Sequence, residues 1–355
     1  MPELPEVETI RAGLAGHVLG RTIERVEVYS ARAVRRQSGG ADEFAALLTG
    51  RVITAAVRRG KFCWLLLEGP DGLPEDYALL AHLGMSGQLL VRTRSAGSHR
   101  HLRVLLQMAD GSQVWFVDQR TFGYLTVSDL VPTIDGGPGG FAGFLPTPAS
   151  DERAPTLAAG AGGGSEARVD ASLPAPAGSG AAAPHAHRPM VKVPALLPRE
   201  AAHIGRDLLD PLVAPGTPGR AALNRRLRQG RRDVKRALLD QELVSGVGNI
   251  YADEALWRVR LHHRRRTDRL RAPVVEGLLD ATTDVMREAL VAGGTSFDAL
   301  YVNVDGGAGY FERALAVYGR AGEPCLRCGG LITRESFMNR SSYFCRTCQR
   351  RPQLT

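Results

Sequence analysis

Long apolar runs and cysteines are scarce in this chain of 355 residues. No apolar run reaches the roughly 18 residues that a membrane-spanning helix needs. The start of the chain is acidic and amphipathic, which is not the pattern of a secretory signal peptide. Five cysteines are too few for a disulfide scaffold in so long a chain. We therefore expect a cytoplasmic protein that has no membrane partner.

Positive charge is in excess. The chain carries 45 Lys and Arg against 37 Asp and Glu, which gives a formal net charge of +8 and a pI of about 9.6. Such an excess favours a polyanionic partner, nucleic acid first, although a basic solvated surface has the same composition. The length suggests two domains, and a hydrophobic content of 44% is enough to build their cores.

Three regions differ in their patterning. Residues 6–19 carry apolar residues at helical spacing, and alternating segments with turns then predict strands and one short helix at 42–48. Residues 132–195 are rich in Gly, Ala and Pro, which predicts a disordered insertion. From residue 196 the pattern is helical, with helices expected at 199–209, 220–229, 233–239, 250–258 and 274–292. The prediction is an α+β protein with an N-terminal β-sandwich and leading helix (1–131), a helical domain (196–318) and a cysteine-bearing hairpin (319–355).

Four of the five cysteines form the pattern C-x2-C-x16-C-x2-C: Cys325, Cys328, Cys345 and Cys348. This spacing suits one tetrahedral zinc held by four thiolates, with a hairpin between the two pairs. Four sulfur ligands leave no open coordination position, so we expect the zinc to be structural. The arginines of the hairpin fit phosphate binding, and a protein-binding zinc ribbon is the alternative.

Pro2 and Glu3 follow the initiator Met1. If Met1 is removed, the chain begins with a secondary amine whose pKa is near ~8, so an appreciable fraction is neutral. A neutral amine can attack C1′ of a sugar and form an iminium intermediate. The alternative is a frayed end that precedes a helix.

A glycine-containing segment, SGVGNIYADE at 245–254, joins two predicted helical stretches. Gly246 and Gly248 permit tight turns, and Asn249 can cap the following helix. Exposed backbone amides at such a helix start suit a phosphate oxygen. The alternative is a plain corner between two helices with a solvated basic face.

Together these motifs resemble bacterial formamidopyrimidine-DNA glycosylases. The similarity covers both domains without the low-complexity stretch, and it includes MPELPEVET at 1–9, Arg59-Gly60-Lys61, HLGMSG at 82–87, DQRTFG at 118–123, the glycine-containing segment and the cysteines. The resemblance implies a helix–two-turns–helix domain in the second half. It also implies excision of oxidised purines from double-stranded DNA, chiefly 8-oxoguanine opposite cytosine and formamidopyrimidines. The resulting abasic site would be cleaved by β- and δ-elimination.

The resemblance further implies catalytic roles. Pro2 would supply the nucleophilic nitrogen, and Glu3 would be the acid/base that protonates the sugar oxygen and opens the ring. Lys61 matches the β-elimination lysine, which also contacts phosphate. Arg340 matches the arginine at the lesion phosphate that is implicated in δ-elimination. The single structural zinc is the only cofactor expected, and we expect a monomer.

Other residues match positions that bind the lesion or the DNA. Three would fill the gap that the flipped nucleotide leaves: Met85, Arg120 and Phe122. Thr121 stands where many relatives carry a second arginine. Glu6 would anchor the N-terminus or help to bind the lesion, and a plain helix-start role is the alternative. Residues 293–310 resemble the loop that closes over the extruded base. The remaining matches are His99, Arg231 and Asn249.

Two other functions stay open at this point. Endonuclease VIII, a relative that acts on oxidised pyrimidines, shares the terminal proline, the two-turn motif and the finger. Residues 4–7 (LPEV) and the DQRTFG loop favour the purine enzyme. A non-catalytic protein that binds damaged DNA would keep its affinity but form no imine, and the presence of Pro2, Glu3 and Lys61 argues against it.

Overall fold

The computed structural model of the chain describes residues 2–94, 97–143, 192–293, 304 and 314–352. Its first half is a pair of antiparallel sheets with a leading helix, and its second half is a helical domain followed by a two-stranded hairpin. The predicted α+β class and arrangement are confirmed. None of the described helices is long and apolar enough to cross a membrane.

The first half begins with helix α1 (Leu4–Val18), which buries Val7, Ile10 and Leu14. The elements that follow are β1 (Ile23–Val28), α2 (Gly40–Leu48), β2 (Val52–Arg59), β3 (Phe62–Glu68), β4 (Pro74–His82), β5 (Gly87–Thr93), β6 (Leu102–Met108), β7 (Ser112–Asp118), β8 (Tyr124–Pro132) and β9 (Leu196–Pro198). One sheet has the order β1-β6-β7-β5, and the other β2-β3-β4-β8-β9. Residues from β1 to β8 and from α1 pack together, so both sheets and α1 share one apolar core.

Both ends of the predicted insertion, residues 132–195, lie against the first half. The backbones of Phe141 and Arg58 exchange hydrogen bonds of 2.8 and 2.9 Å. The Gly139 N–H donates to the Pro194 carbonyl, and β9 then pairs with β8. Residues 144–191, the rest of the predicted insertion, lie outside the described residues.

Four predicted helices of the second half form within two residues of their expected bounds: α3 (Pro218–Gln229), α4 (Val234–Leu238), α5 (Asn249–Arg258) and α6 (Ala272–Val291). The helix predicted at 199–209 is wrong, because only a single 3-10 turn forms there, at Arg199–Ala201. The Gly205 N–H instead donates to the Gln241 carbonyl, and a Cβ at Gly205 would lie 2.8 Å from the Leu243 carbonyl oxygen. Close contact with the neighbouring segment therefore replaces the helical hydrogen bonds.

The chain closes with the hairpin of β10 (Ile332–Phe337) and β11 (Arg340–Cys345). Its two-residue turn consists of Met338 and Asn339, whose φ angles are 49° and 59°. Positive φ at both central residues matches the twist of the paired strands, which makes this the tight turn that hairpins favour. The turn places Arg340 at the tip of the hairpin and Cys345 at its base.

Candidate active site

The start of the chain is fixed where the two halves meet. The Leu4 N–H donates to the Gly246 carbonyl at 3.1 Å. The Glu6 carboxylate accepts the Glu3 N–H and the Tyr251 hydroxyl, each at 2.8 Å. Pro2 itself is buried. These contacts fit two of the three roles considered for Glu6, an anchor of the N-terminus and a helix start. The ordered start differs from a frayed end.

Glu3 lies beside the two-turn segment and is almost excluded from solvent. It is 6% exposed, and its Oε2 finds no hydrogen-bond partner among the described residues. Gly248 makes room for it, since a Cβ there would lie 1.7 Å from Glu3 Cδ. Burial raises the pKa of the Glu3 carboxyl to about 7, against the opposing positive charge of Lys61. The carboxyl is therefore partly protonated at neutral pH, as a proton donor must be.

Lys61 lies in the turn between β2 and β3. Gly60 before it has a φ of 55°, and a Cβ on Gly60 would lie 2.6 Å from the Ser245 side chain, so this turn needs glycine. Burial lowers the pKa of the Lys61 ammonium group, and the charge of Glu3 opposes that effect while Arg340 adds to it. The three side chains are thus close enough for their charges to interact.

A cleft of about 180 Å³ opens beside Lys61 and is lined from both halves of the chain. Phe62 and His82 line it from the sheets, Val247 from the two-turn segment and Arg340 from the hairpin. Burial lowers the pKa of His82 to about 4, so its ring is neutral, and its Nδ1 accepts the Gly84 N–H at 3.2 Å. The cleft therefore combines two cationic groups with an apolar wall.

Asn249 connects the two-turn segment to the hairpin. The expected capping role is wrong, because Gly248 is the N-cap of α5 and Asn249 is the first helical residue. Its Nδ2 instead donates to the Ser341 carbonyl at 2.9 Å, one residue after Arg340. The Asn249 backbone N–H donates to the Glu3 carboxyl. Asn249 thus holds Glu3 and the neighbour of Arg340 at the same helix start.

The HLGMSG and DQRTFG loops, which carry Met85, Arg120 and Phe122, lie side by side. Asp118 is fully buried, and its carboxylate accepts the Ser86 hydroxyl at 2.5 Å and the Gly123 N–H at 2.7 Å. Thr121 has a φ of 53°, a left-handed backbone conformation that residues other than glycine rarely adopt. Phe122 is 46% exposed although it is apolar. The two loops therefore form one braced unit that presents an exposed aromatic ring.

Two predicted DNA contacts lie apart from this cleft. His99 is exposed, and its Nδ1 accepts the His101 N–H at 3.1 Å. Arg231 is exposed between α3 and α4. Neither residue lines the cleft beside Lys61. The loop predicted to close over the base, residues 293–310, lies outside the described residues except for Gly293 and Val304.

The four cysteines converge at the base of the hairpin. The sulfur atoms all lie within 4.8 Å of one another in this set: Cys325, Cys328, Cys345 and Cys348. Tetrahedral zinc with Zn–S bonds of about 2.3 Å needs sulfurs roughly 3.8 Å apart, and Cys328 Sγ and Cys345 Sγ are 3.5 Å apart. The Trp257 indole N–H and the Cys348 N–H donate to cysteine sulfurs. The donor set therefore fits one structural zinc.

Sequence reasoning missed a polar connection beneath Arg340. Lys235 Nζ is fully buried, 2.6 Å from the Asp253 carboxylate and 3.2 Å from the Ser341 carbonyl. Asp253 also accepts the Ser342 hydroxyl and the Tyr343 N–H. In the sequence, Lys235 is one of many cations between 225 and 236, so no local signal separates it from solvated neighbours.

Three sequence models match the chain in order along its length. They describe the formamidopyrimidine-DNA glycosylase N-terminal domain (residues 1–125), the formamidopyrimidine-DNA glycosylase H2TH domain (209–299) and a zinc finger found in FPG and IleRS (322–351). Proteins named formamidopyrimidine-DNA glycosylase from Mycobacteroides abscessus and Kineococcus radiotolerans are 47% and 46% identical to this chain. Both alignments cover 99% of this chain, and they cover 98% and 99% of the two relatives.

Solved structures show the same fold. One is the crystal structure of a Lactococcus lactis FPG mutant in complex with a Fapy-dG-containing DNA. The sequence of that protein is 25% identical to this chain, and the TM-score is 0.68. The match covers 99% of this chain and 100% of that chain. A complex between the Lactococcus lactis Fpg and an abasic-site-containing DNA is 24% identical, has a TM-score of 0.67, and is matched over 98% and 100% of the two chains.

Proposed function

The chain belongs to the formamidopyrimidine-DNA glycosylase family, and from that premise we propose which of its residues remove the damaged base and which cut the strand. The protein is a bifunctional DNA glycosylase and abasic-site lyase that removes oxidised purines, such as 8-oxoguanine and formamidopyrimidine-guanine, from DNA. The predictions of family, activity and enzyme class are thus confirmed. The residue roles below are our proposal.

Base removal starts at Pro2. With Met1 removed, the Pro2 nitrogen attacks C1′ of the damaged nucleotide, and the base leaves with the electron pair of the glycosidic bond. The Glu3 carboxyl donates its proton to the sugar ring oxygen, so the ring opens and an iminium forms between Pro2 and C1′. The elevated pKa of the buried Glu3 supports this role, since an ordinary carboxyl would be ionised at neutral pH. Once ionised, Glu3 stabilises the positive iminium beside it.

Strand cleavage falls to Lys61 and Arg340. The lowered pKa of Lys61 increases its neutral fraction, which a β-elimination base needs. Arg340 lines the same cleft from the hairpin and would neutralise the leaving phosphate, first in β- and then in δ-elimination. Both cations also fit phosphate contact before chemistry begins.

The DNA-facing residues have a separate task. Phe122 and Met85 would fill the space of the flipped nucleotide, and Arg120 would hydrogen-bond the widowed cytosine. His99 and Arg231 would contact backbone phosphates at a distance from the lesion. Glu6 and Asn249 would hold the N-terminus and the hairpin at the lesion. The zinc supplies folding free energy to the hairpin when bound, and it supplies no chemistry.

One observation carries this proposal: the Glu3 carboxyl is buried next to Pro2 and close enough to Lys61 for their charges to interact, and burial raises its pKa. Borohydride trapping on duplexes that contain 8-oxoguanine opposite cytosine tests it, with thymine glycol duplexes as the comparison. We expect a covalent adduct and preferred excision of 8-oxoguanine. Preferred excision of thymine glycol would indicate the endonuclease VIII activity, and binding without an adduct would leave a non-catalytic damage-binding protein.

We also propose the DNA partner, the oligomeric state and the location of the enzyme. Related proteins have been solved with damaged DNA, and we propose that this chain takes double-stranded DNA with oxidised bases or abasic sites. Action as a monomer, a cytoplasmic location with association to the nucleoid, and the domain bounds 1–131, 132–195, 196–318 and 319–355 stay predictions. Size-exclusion chromatography with light scattering, with and without duplex, checks the first of these.

A further inference from the structure

Four fully buried charges lie behind the turn that carries Lys61. Glu8 and Arg11 of α1, Arg58 of β2 and Asp207 of the second half are each at most 3% exposed. Arg58 Nε donates to Glu8 Oε2 at 2.7 Å, and its Nη1 donates to Asp207 Oδ2 at 2.6 Å. Arg11 donates to both Glu8 oxygens, at 2.7 and 3.0 Å. The group is neutral overall and joins both halves of the chain.

Asp207 reaches the Lys61 turn directly. Its Oδ2 also accepts the Gly60 N–H at 3.2 Å, and its Oδ1 accepts the Leu209 N–H at 3.0 Å. Asp207 forms a β-bridge with Ser245, whose side chain lies against the Cα of Gly60. One carboxylate thus fixes the residue before Lys61 relative to the two-turn segment.

The other end of the group holds the helix that follows Glu3. Glu8 lies on the second turn of α1, the helix that begins immediately after Glu3. Burial alone would lower the pKa of the Arg58 guanidinium, but the carboxylates of Asp207 and Glu8 outweigh it and hold that pKa above its usual range. Arg58 therefore stays charged, and it bridges the helix of Glu3 and the carboxylate that holds the Lys61 turn.

We propose that Asp207, acting with Arg58, is a positioning residue that sets Lys61 against Glu3. The proposal rests on the roles of Lys61 and Glu3 proposed above. A buried ion pair is a weak source of stability, because desolvation offsets much of the attraction. Its directed hydrogen bonds fix geometry instead, and a displacement of about 1 Å can cost a reaction on the order of a hundredfold in rate.

Two variants test the assignment, with one matched control. Asp207→Asn keeps the shape of the side chain but replaces one acceptor oxygen by an NH₂ group, so either the Arg58 and Gly60 donors or the Leu209 N–H loses its acceptor. Arg58→Lys removes the guanidinium group that donates to Glu8 and Asp207 at the same time. Arg220→Lys is the control, because Arg220 is also buried and bound by two carboxylates, Glu276 and Asp280, but lies in the helical domain away from Lys61.

The first readout is kinetic, on duplexes with 8-oxoguanine opposite cytosine. We expect base removal and strand cleavage at saturating enzyme to fall on the order of tenfold in Asp207→Asn and Arg58→Lys. The Kd for the duplex should rise by a smaller factor than the rates fall, because Lys61 supplies only one of several phosphate contacts. The control should keep both rates.

The second readout needs no activity. The Glu3 carboxyl is titrated by ¹³C NMR in glutamate-labelled protein, with its signal assigned by Glu3→Gln. Lys61 lowers the Glu3 pKa, so its displacement should raise that pKa toward the value in Lys61→Met, while Arg220→Lys leaves it unchanged. Arg58→Lys conserves charge, so in this variant the titration reports geometry and distinguishes a failure of the positioning role from a failure of the chemistry assigned to Lys61. Asp207→Asn adds one net positive charge, which by itself lowers the Glu3 pKa, so this variant is judged by its rates.

An unchanged Glu3 pKa in Arg58→Lys would overturn the proposal. Rate losses that only follow the loss of folded protein, or equal losses in Arg220→Lys, would also overturn it. If Arg58→Lys does not fold, the rates of the near-isosteric Asp207→Asn decide alone.

Discussion

Glu3 is placed for chemistry at the expense of stability, and its replacement by glutamine should show this. The carboxyl is 6% exposed, and burial raises its pKa to about 7 from an ordinary value of 4.5. Gln has the same shape and no charge, and its amide oxygen can still accept the Asn249 N–H. We expect Glu3→Gln to abolish base removal and to make the protein more stable above neutral pH.

The magnitude follows from proton linkage. The folded state binds the Glu3 proton more tightly than the unfolded state, so the stabilisation linked to this proton is complete below pH 4.5 and is lost as the pH rises through 7. A difference of about 2.5 pKa units corresponds to roughly 3 kcal/mol. Relative to the native protein, Glu3→Gln should therefore gain little at pH 4.5 and up to about 3 kcal/mol at pH 8.

Urea unfolding of both proteins, followed by circular dichroism at several pH values between 4.5 and 8, measures this gain. The difference between the two unfolding midpoints should grow with pH and level off above 7. A difference that stays constant from pH 4.5 to 8 would refute the reasoning, because it would mean that the carboxyl is solvated and titrates in its ordinary range.

Four further outcomes are expected. Pro2→Gly should weaken base removal and borohydride trapping while duplex affinity, measured by fluorescence anisotropy, is kept. Lys61→Ala should lose more strand cleavage than duplex binding. A gel assay measures the cleaved product, and fluorescence anisotropy measures binding. Cys345→Ser should lose zinc, which atomic emission measures, and should change the fluorescence of the adjacent Trp257. Its affinity should fall for all duplexes, with or without a lesion. Unchanged zinc content would contradict the four-cysteine site. Phe122→Ala should slow excision without changing the thermal unfolding midpoint, since the ring is largely exposed.

The sequence predicts most of the fold because its signals are local. Alternating strands, helical spacing and the cysteine pattern each depend on neighbouring residues, and the elements they predict form. The segment 199–209 shows the limit of such patterns. Ile204, Leu208 and Leu209 are buried, but Gly205 packs against the backbone of Leu243, some 40 positions along the chain, and that contact replaces the helix.

The candidate site is predictable in its residue types but not in its electrostatics. Pro2, Glu3 and Lys61 are identified by their motifs, whereas the elevated pKa of Glu3 arises only where two distant parts of the chain close over it. The bond from Asn249 to Ser341 spans 92 positions, and the buried charges of Arg58 and Asp207 lie 149 apart. No local pattern connects residues so far apart.

The most direct test of the account is to locate the covalent bond between enzyme and DNA. The native enzyme is trapped with borohydride on an 8-oxoguanine duplex, digested with protease and nuclease, and mapped by mass spectrometry. We predict that the adduct lies on the nitrogen of Pro2 in a chain that lacks Met1. An adduct on Lys61, or full activity in a chain that keeps Met1, would contradict the mechanism.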